Sequence, residues 1–389
     1  MEAYKNSYIR SLNSRLVLEH VIQLGPISRA ELARQTGLTK ATVSAITAEL
    51  ISAGLAAELG SGDAALGRRP ILLGFCRRAS FAVSIDIGPD RIRALAADLL
   101  GDVLLFRQLL TPDASGLIAA LAELIASMQA AVAPLLPEQT HGLCGIALGI
   151  HGVVCGSRIS FSPHYRMEQL PIAAELEQRF RVPVIIDNEA NLAVTGEAAF
   201  LPPADRSIAA LSIHSGVGAG LLLNGRLYTG YLGGAGEFGH TILVPGGRPC
   251  ACGRLGCLEQ YVSERALTAD YAARTGRAGA DYMLLSDGIR AQKKEAADTV
   301  DTYLYYLSIC INNLVQAYDP ELIFISDRLL SDFPELLTVL SARCFGLASR
   351  LRLSPPGRNA SLYGGIHRCV RKFLDIGMLP FCTPPKLLL

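Results

Sequence analysis

The chain carries almost no net charge: 36 Lys and Arg stand against 35 Asp and Glu, a formal +1 at pH 7. A molecule basic throughout is thereby excluded, although a basic segment within it is not. The opening MEAYKNSYIR lacks the apolar core of a secretory leader, and the most apolar helical stretch, Leu117–Val132, is interrupted by Glu123 and ends at Pro134. A soluble, cytoplasmic protein with no membrane partner is expected. Long linkers and low-complexity stretches are also missing. Of ten cysteines, seven are scattered singly, as small buried hydrophobes are in a reducing compartment. The other three are bunched at 250–257.

Half of the 389 residues are hydrophobic, so the chain is globular and long enough for two or three cores. Its charge is uneven. Residues 1–78 hold ten Lys/Arg against six acids, a surplus of four positive charges that leaves three negative for the remainder.

The same segment has the outline of a DNA reader. From Ser7 to Leu24, Ile9, Leu12, Leu16, Val17 and Ile22 fall at near-helical spacing, and Gly25-Pro26 stops that helix. Ser28-Arg-Ala-Glu31 matches a capping box opening a second helix to about Thr36. Gly37-Leu38-Thr39 makes a turn, and a third helix from Lys40 to Ala53 puts Val43, Ile46 and Leu50 on its buried stripe. Lys40, Thr42, Ser44 and Thr47 are expected on the opposite face, free of acids and short enough to approach base edges. Two apolar runs, 55–59 and 71–75, flank a Gly-rich loop ending Gly67-Arg68-Arg69-Pro70, the pattern of a hairpin wing whose Arg68 and Arg69 would meet phosphate or a minor groove. Operator DNA is the expected partner.

Beyond Arg78 the pattern becomes apolar strands alternating with helices, an α/β fold with a largely parallel centre. Two Gly-containing loops at strand ends, Asp86-Ile-Gly88 and Ser215–Gly220, resemble the paired phosphate loops of an actin-like ATPase fold. Gly239-His240 followed by Cys250-Ala-Cys252-Gly-Arg-Leu-Gly-Cys257 supplies one imidazole and three thiolates. That is a full tetrahedral set for a structural Zn²⁺, with no position left for water.

Residues 79–389 resemble the ROK family of repressors, uncharacterised reading frames and sugar kinases. Gly216-Val-Gly-Ala-Gly220, Gly236-Glu-Phe-Gly-His240 and the cysteine cluster ending Cys257-Leu-Glu259 carry the likeness. With the amino-terminal segment the whole is similar to the family's xylose-repressor-like members. The resemblance implies a winged helix-turn-helix domain over 1–78 and an actin-like, hexokinase-type two-lobed domain, its first lobe over 79–200. The second lobe, 201–389, would hold the zinc cluster, with a C-terminal helix returning to the first.

It further implies sugar contacts by Asn188, Glu189, Glu237, His240 and Glu259, suited to hydroxyls that both donate and accept. A homodimer or higher oligomer is implied as well. Several residues depart from the kinase pattern. Glu189 stands where kinases place an Asp general base, and Pro89-Asp90-Arg91 replaces Gly-Thr-Lys in the first phosphate loop. His214 replaces a glycine, His151 replaces a proline, and Ser162–Arg166 lacks the usual Asn and Trp. A sugar-responsive repressor with no catalytic residue is therefore expected; the alternative is an ATP-dependent sugar kinase with an accessory DNA-binding segment.

Overall fold

A computed structural model of the chain describes residues 2–61, 70–138, 140–162, 166–202, 204, 206–377 and 379–381. Three helices, Glu2–Leu24, Arg29–Thr36 and Lys40–Ser52, open it. Burial on the first begins at Val17, while Ile9 and Leu12 stay exposed. Half of the capping box forms: Ser28 Oγ accepts from the Glu31 N–H at 3.2 Å, but the Glu31 carboxylate turns outward to Arg34 and Gln35. Strand Ile71–Phe75 lies between Ile27–Ser28 and Ala56–Ser61, all antiparallel, which makes the wing. Arg68 and Arg69 lie outside the described residues, as do 163–165 of the Ser162–Arg166 loop.

Two five-stranded sheets follow, and they share one strand order. In the first, Phe81–Ile87, Arg91–Asp98 and Val103–Leu110 form an antiparallel meander; Leu143–Ile150 and then Val184–Asn188 add in parallel beyond Phe81–Ile87. In the second, Ile208–Ile213, Val217–Leu223 and Arg226–Leu227 form the meander, and Leu322–Asp327 and Leu351–Leu353 add in parallel. This repetition is the two-lobed, hexokinase-type architecture. The expectation of a largely parallel centre is corrected: half the pairings in each sheet are antiparallel, because the short turns at 88–90, 99–102, 214–216 and 224–225 can join only antiparallel neighbours.

The segment Leu117–Leu135 is long and apolar enough to cross a bilayer by length and composition. Its stripe of Leu117, Leu121, Ile125, Met128 and Val132 is instead fully buried in the core of the first sheet. Between the lobes, helix Glu189–Ala199 lies on the second sheet and helix Ala360–Leu374 on the first. The two helices cross at glycines. A Cβ on Gly196 would fall 2.0 Å from Ala360 O, and one on Gly364 would fall 1.8 Å from Leu192 O, so any side chain there would push the lobes apart.

The DNA-reading segment is not hung on a tether. Val17, Leu18 and Val21 share one apolar cluster with Leu95, Ile366, Leu374 and Ile376. Arg15 pairs with Asp375, and the Gly377 N–H donates to Glu19 at 2.8 Å.

Candidate functional site

The turns 88–90 and 214–216 close equivalent meanders and face each other across the cleft between the lobes. A cleft of about 790 Å³ is lined by Asp86, Pro89, Asp90, Arg358 and Tyr282. A smaller cavity of about 110 Å³ adjoins it, sharing His151, His214 and Ser215. All five expected sugar contacts, Asn188, Glu189, Glu237, His240 and Glu259, line this small cavity. Its volume is well below the roughly 300–1,000 Å³ of drug-sized pockets, so it suits a ligand of about one ring.

Strand Val184–Asn188 delivers Asn188 to the start of helix Glu189–Ala199. The Asn188 side-chain oxygen caps that helix, accepting from the N–H groups of Ala190 (2.8 Å) and Asn191 (3.3 Å), and its amide donates to Gly152 O at 2.7 Å. One amide N–H remains for a ligand. Glu189 is buried and accepts from Ser212 Oγ at 3.2 Å; burial, reinforced by the Asp86 charge, raises its pKa against the pull of His151. Glu237 is half-buried, and burial raises its pKa too. The Glu259 carboxylate accepts from Val217 N–H at 3.3 Å and lies against Gly216, where a Cβ would come within 2.8 Å of it. Gly236, at φ +85°, brings the backbone before Glu237 onto Ala219, leaving no room for a Cβ.

On the first-lobe side, Asp86 is buried between Arg93, an ion-pair partner, and His151 Nε2 at 2.9 Å. Burial alone would raise its pKa, but these two partners hold it below the usual carboxylate range. The same carboxylate more than offsets the burial of His151 and raises its pKa. At the turn itself, Pro89 has no N–H to offer and Asp90 adds negative charge.

His240, Cys250, Cys252 and Cys257 come together, their ligand atoms all within 4.8 Å of one another. Cys250 Sγ is 3.7 Å from His240 Nδ1, and Cys252 Sγ is 3.6 Å from Cys257 Sγ. A tetrahedral Zn²⁺ with bonds of about 2.0–2.3 Å requires edges of about 3.5–3.8 Å, which these two pairs meet, and one imidazole with three thiols is a donor set that suits it. The Arg254 N–H lowers the Cys252 pKa to about 6, while burial and the neighbouring thiols push Cys257 up to about 12. Adjacent thiolates need a cation to coexist. Gln260, not singled out in the sequence, places its amide 3.5 Å from Cys250 Sγ.

On the third helix Lys40 and Ser44 are exposed and Thr42 is partly so. Thr47 is a correction: it is fully buried, accepts from Arg29 Nε at 3.1 Å and donates to Ser44 O, and so cannot face a groove. At i+4 from Val43 and i+1 from Ile46 it belongs to the inner stripe.

A winged-helix DNA-binding module built onto a two-lobed, sugar-kinase-type fold is the class these features define. The winged helix-turn-helix DNA-binding profile matches residues 10–56, and the ROK-family profile matches residues 82–345. The chain belongs to the ROK family. The xylose repressor of Bacillus spizizenii is 29% identical over 385 residues, covering 97% of this chain and 99% of that one. A solved ROK-family transcriptional regulator, a homolog of the E. coli MLC protein, matches with TM-score 0.74 at 24% identity, over 94% of this chain and 99% of that one. The ROK glucokinase of Streptomyces griseus, solved with glucose and AMPPNP, matches with TM-score 0.64 at 24% identity, over 74% and 98%. Both likenesses show the same fold.

Proposed function

We propose that the chain is a sugar-responsive DNA-binding repressor of carbohydrate-metabolism genes, acting in the cytoplasm as a homodimer, with the sugar bound but not phosphorylated. The observation that carries the reading is the asymmetry of the cleft. Every expected sugar contact lines one cavity, while the adjoining phosphate turn has lost a backbone donor to Pro89 and gained the charge of Asp90. The name of the Bacillus spizizenii relative supports the repressor role and makes xylose the first sugar to try. Structural Zn²⁺ on His240 and the three cysteines would hold the loop that carries Glu237 and Glu259, a positioning role without chemistry of its own.

Helix Ala360–Leu374 supplies a route from sugar to DNA. Its Arg368 pairs with Asp187, which also accepts from the Asn188 N–H at 2.8 Å and from Asn191 Nδ2 at 2.9 Å. Its Phe373 meets the His141 ring at 5.3 Å, and His141 Nε2 is bonded to Ala53 O, at the end of the third DNA-reading helix, at 2.8 Å. A shift at the sugar-bearing strand end thus reaches the helix-turn-helix through one rigid element.

The test is fluorescence anisotropy of the full chain on DNA selected from a random pool, with D-xylose, D-glucose and N-acetyl-D-glucosamine added in turn. At least one sugar should change DNA affinity by about fivefold or more, the usual floor of allosteric coupling. Arg368→Ala should shrink that change while sugar and DNA each still bind. Absence of DNA binding, or affinity indifferent to every sugar, would refute the reading.

A further inference from the structure

His214 is used by neither the zinc cluster nor the DNA-reading face. Its backbone is fixed on both sides, the N–H donating to Gly216 O at 2.9 Å and the carbonyl accepting from Glu264 N at 2.8 Å. The residue is only 8% exposed, yet neither ring nitrogen has a hydrogen-bond partner among the described residues. Its ring lines both the small cavity and the larger cleft, at their junction. Buried polar atoms are almost always satisfied, so this imidazole must take its partners from whatever fills the cavity.

The chemistry of that partner follows from the ring's surroundings. Burial first, then Arg358, Arg93 and His151, hold the ring well toward its neutral form, with only Asp86 pulling the other way. A neutral imidazole presents one N–H donor and one acceptor nitrogen. A hydroxyl, which donates and accepts, can answer either nitrogen. A phosphate dianion can only accept, so it can answer the N–H but not the other nitrogen, and a phosphate on a hydroxyl at this junction would need the space the ring fills.

We propose that His214 is a specificity-determining residue that hydrogen-bonds the sugar hydroxyl pointing out of the small cavity toward the cleft, and that its ring selects effectors unphosphorylated at that hydroxyl. The inference rests on the sugar-sensor reading above. The ring stands between the small cavity and the cleft, at the place where they meet.

The test is titration calorimetry of the full chain with D-xylose, D-glucose, their monodeoxy derivatives and their phosphate esters. His214→Ala should weaken the parent sugar about tenfold or more. The deoxy derivative lacking the contacted hydroxyl should bind wild type and variant alike, a difference that loss of folding would not produce. His214→Asn, which keeps a donor and an acceptor, should recover part of the affinity with wild-type zinc content and melting temperature.

Unchanged affinity in His214→Ala, or an equal loss for every derivative, overturns the contact but leaves the sensor reading standing, since wild type would still bind sugar. Tighter binding of a phosphate ester than of its parent sugar overturns the selection. Failure of wild type to bind any sugar overturns both.

Discussion

The turns at 88–90 and 214–216 hold the same place in two sheets of the same order, yet their surroundings differ. Around the second, Gly216 leaves room for the Glu259 carboxylate and Val217 N–H bonds it, so the turn, the small cavity and the loop that ends in the cysteine cluster form one unit. Around the first, Pro89 lacks an N–H and Asp90 adds a carboxylate, and Asp86 behind them is held by Arg93 and His151. The difference sets a turn joined to the small cavity lined by Glu189, Glu237 and Glu259 against a turn whose buried carboxylate is already held by Arg93 and His151.

The harshest way to break the comparison is at the zinc loop. Replacing Cys252 and Cys257 together with Ser should take zinc from one per chain to near zero by elemental analysis and abolish the sugar response. Asp90→Ala, on the other turn, should leave both intact. Next in size, Glu237→Ala or Glu259→Ala should each remove a partner of a bound hydroxyl, costing about 1–3 kcal/mol of sugar affinity by calorimetry, while DNA binding without sugar survives.

The DNA face gives a finer contrast. Thr42 or Ser44 substitutions should alter base preference, and Arg68→Ala with Arg69→Ala should weaken all sequences and flatten the salt dependence. Thr47→Val should lower the melting temperature and leave base preference unchanged, which gel shifts and a melt together would show.

An effect confined to pH dependence concerns Glu197, buried on the helix between the lobes and bonded to Ser354 Oγ, where burial raises its pKa to about 8. Between its unfolded value of about 4.5 and 8 the folded state holds a proton that the unfolded state has lost. Its contribution to stability therefore declines as pH rises through that window. Glu197→Gln should flatten the fall in melting temperature between pH 6 and 9.

The local patterns that were legible are those with a fixed period or a short turn. Ser28, Gly37 and Thr39 punctuate the helix-turn-helix because capping and left-handed geometry demand such residues, and Gly37 sits at φ +70°. The zinc ligands were legible because three lie within eight residues of sequence. Thr47 was misjudged by residue type although its spacing from Val43 placed it on the inner stripe. Arg93 was passed over although it is the cross-strand neighbour of Asp86 over a short turn. The Arg368–Asp187 pair spans 181 residues, and no local pattern encodes it.

The central claim is that sugar is sensed rather than phosphorylated, and one paired measurement on the wild-type chain reaches it directly. Operator affinity is followed by anisotropy with and without sugar, and ADP release is followed under saturating sugar and ATP. The account predicts a sugar-dependent change in affinity with ADP release far below ordinary enzyme turnover. ADP release on the order of 1 per second or faster would contradict it and make the chain a sugar kinase with a DNA-binding segment.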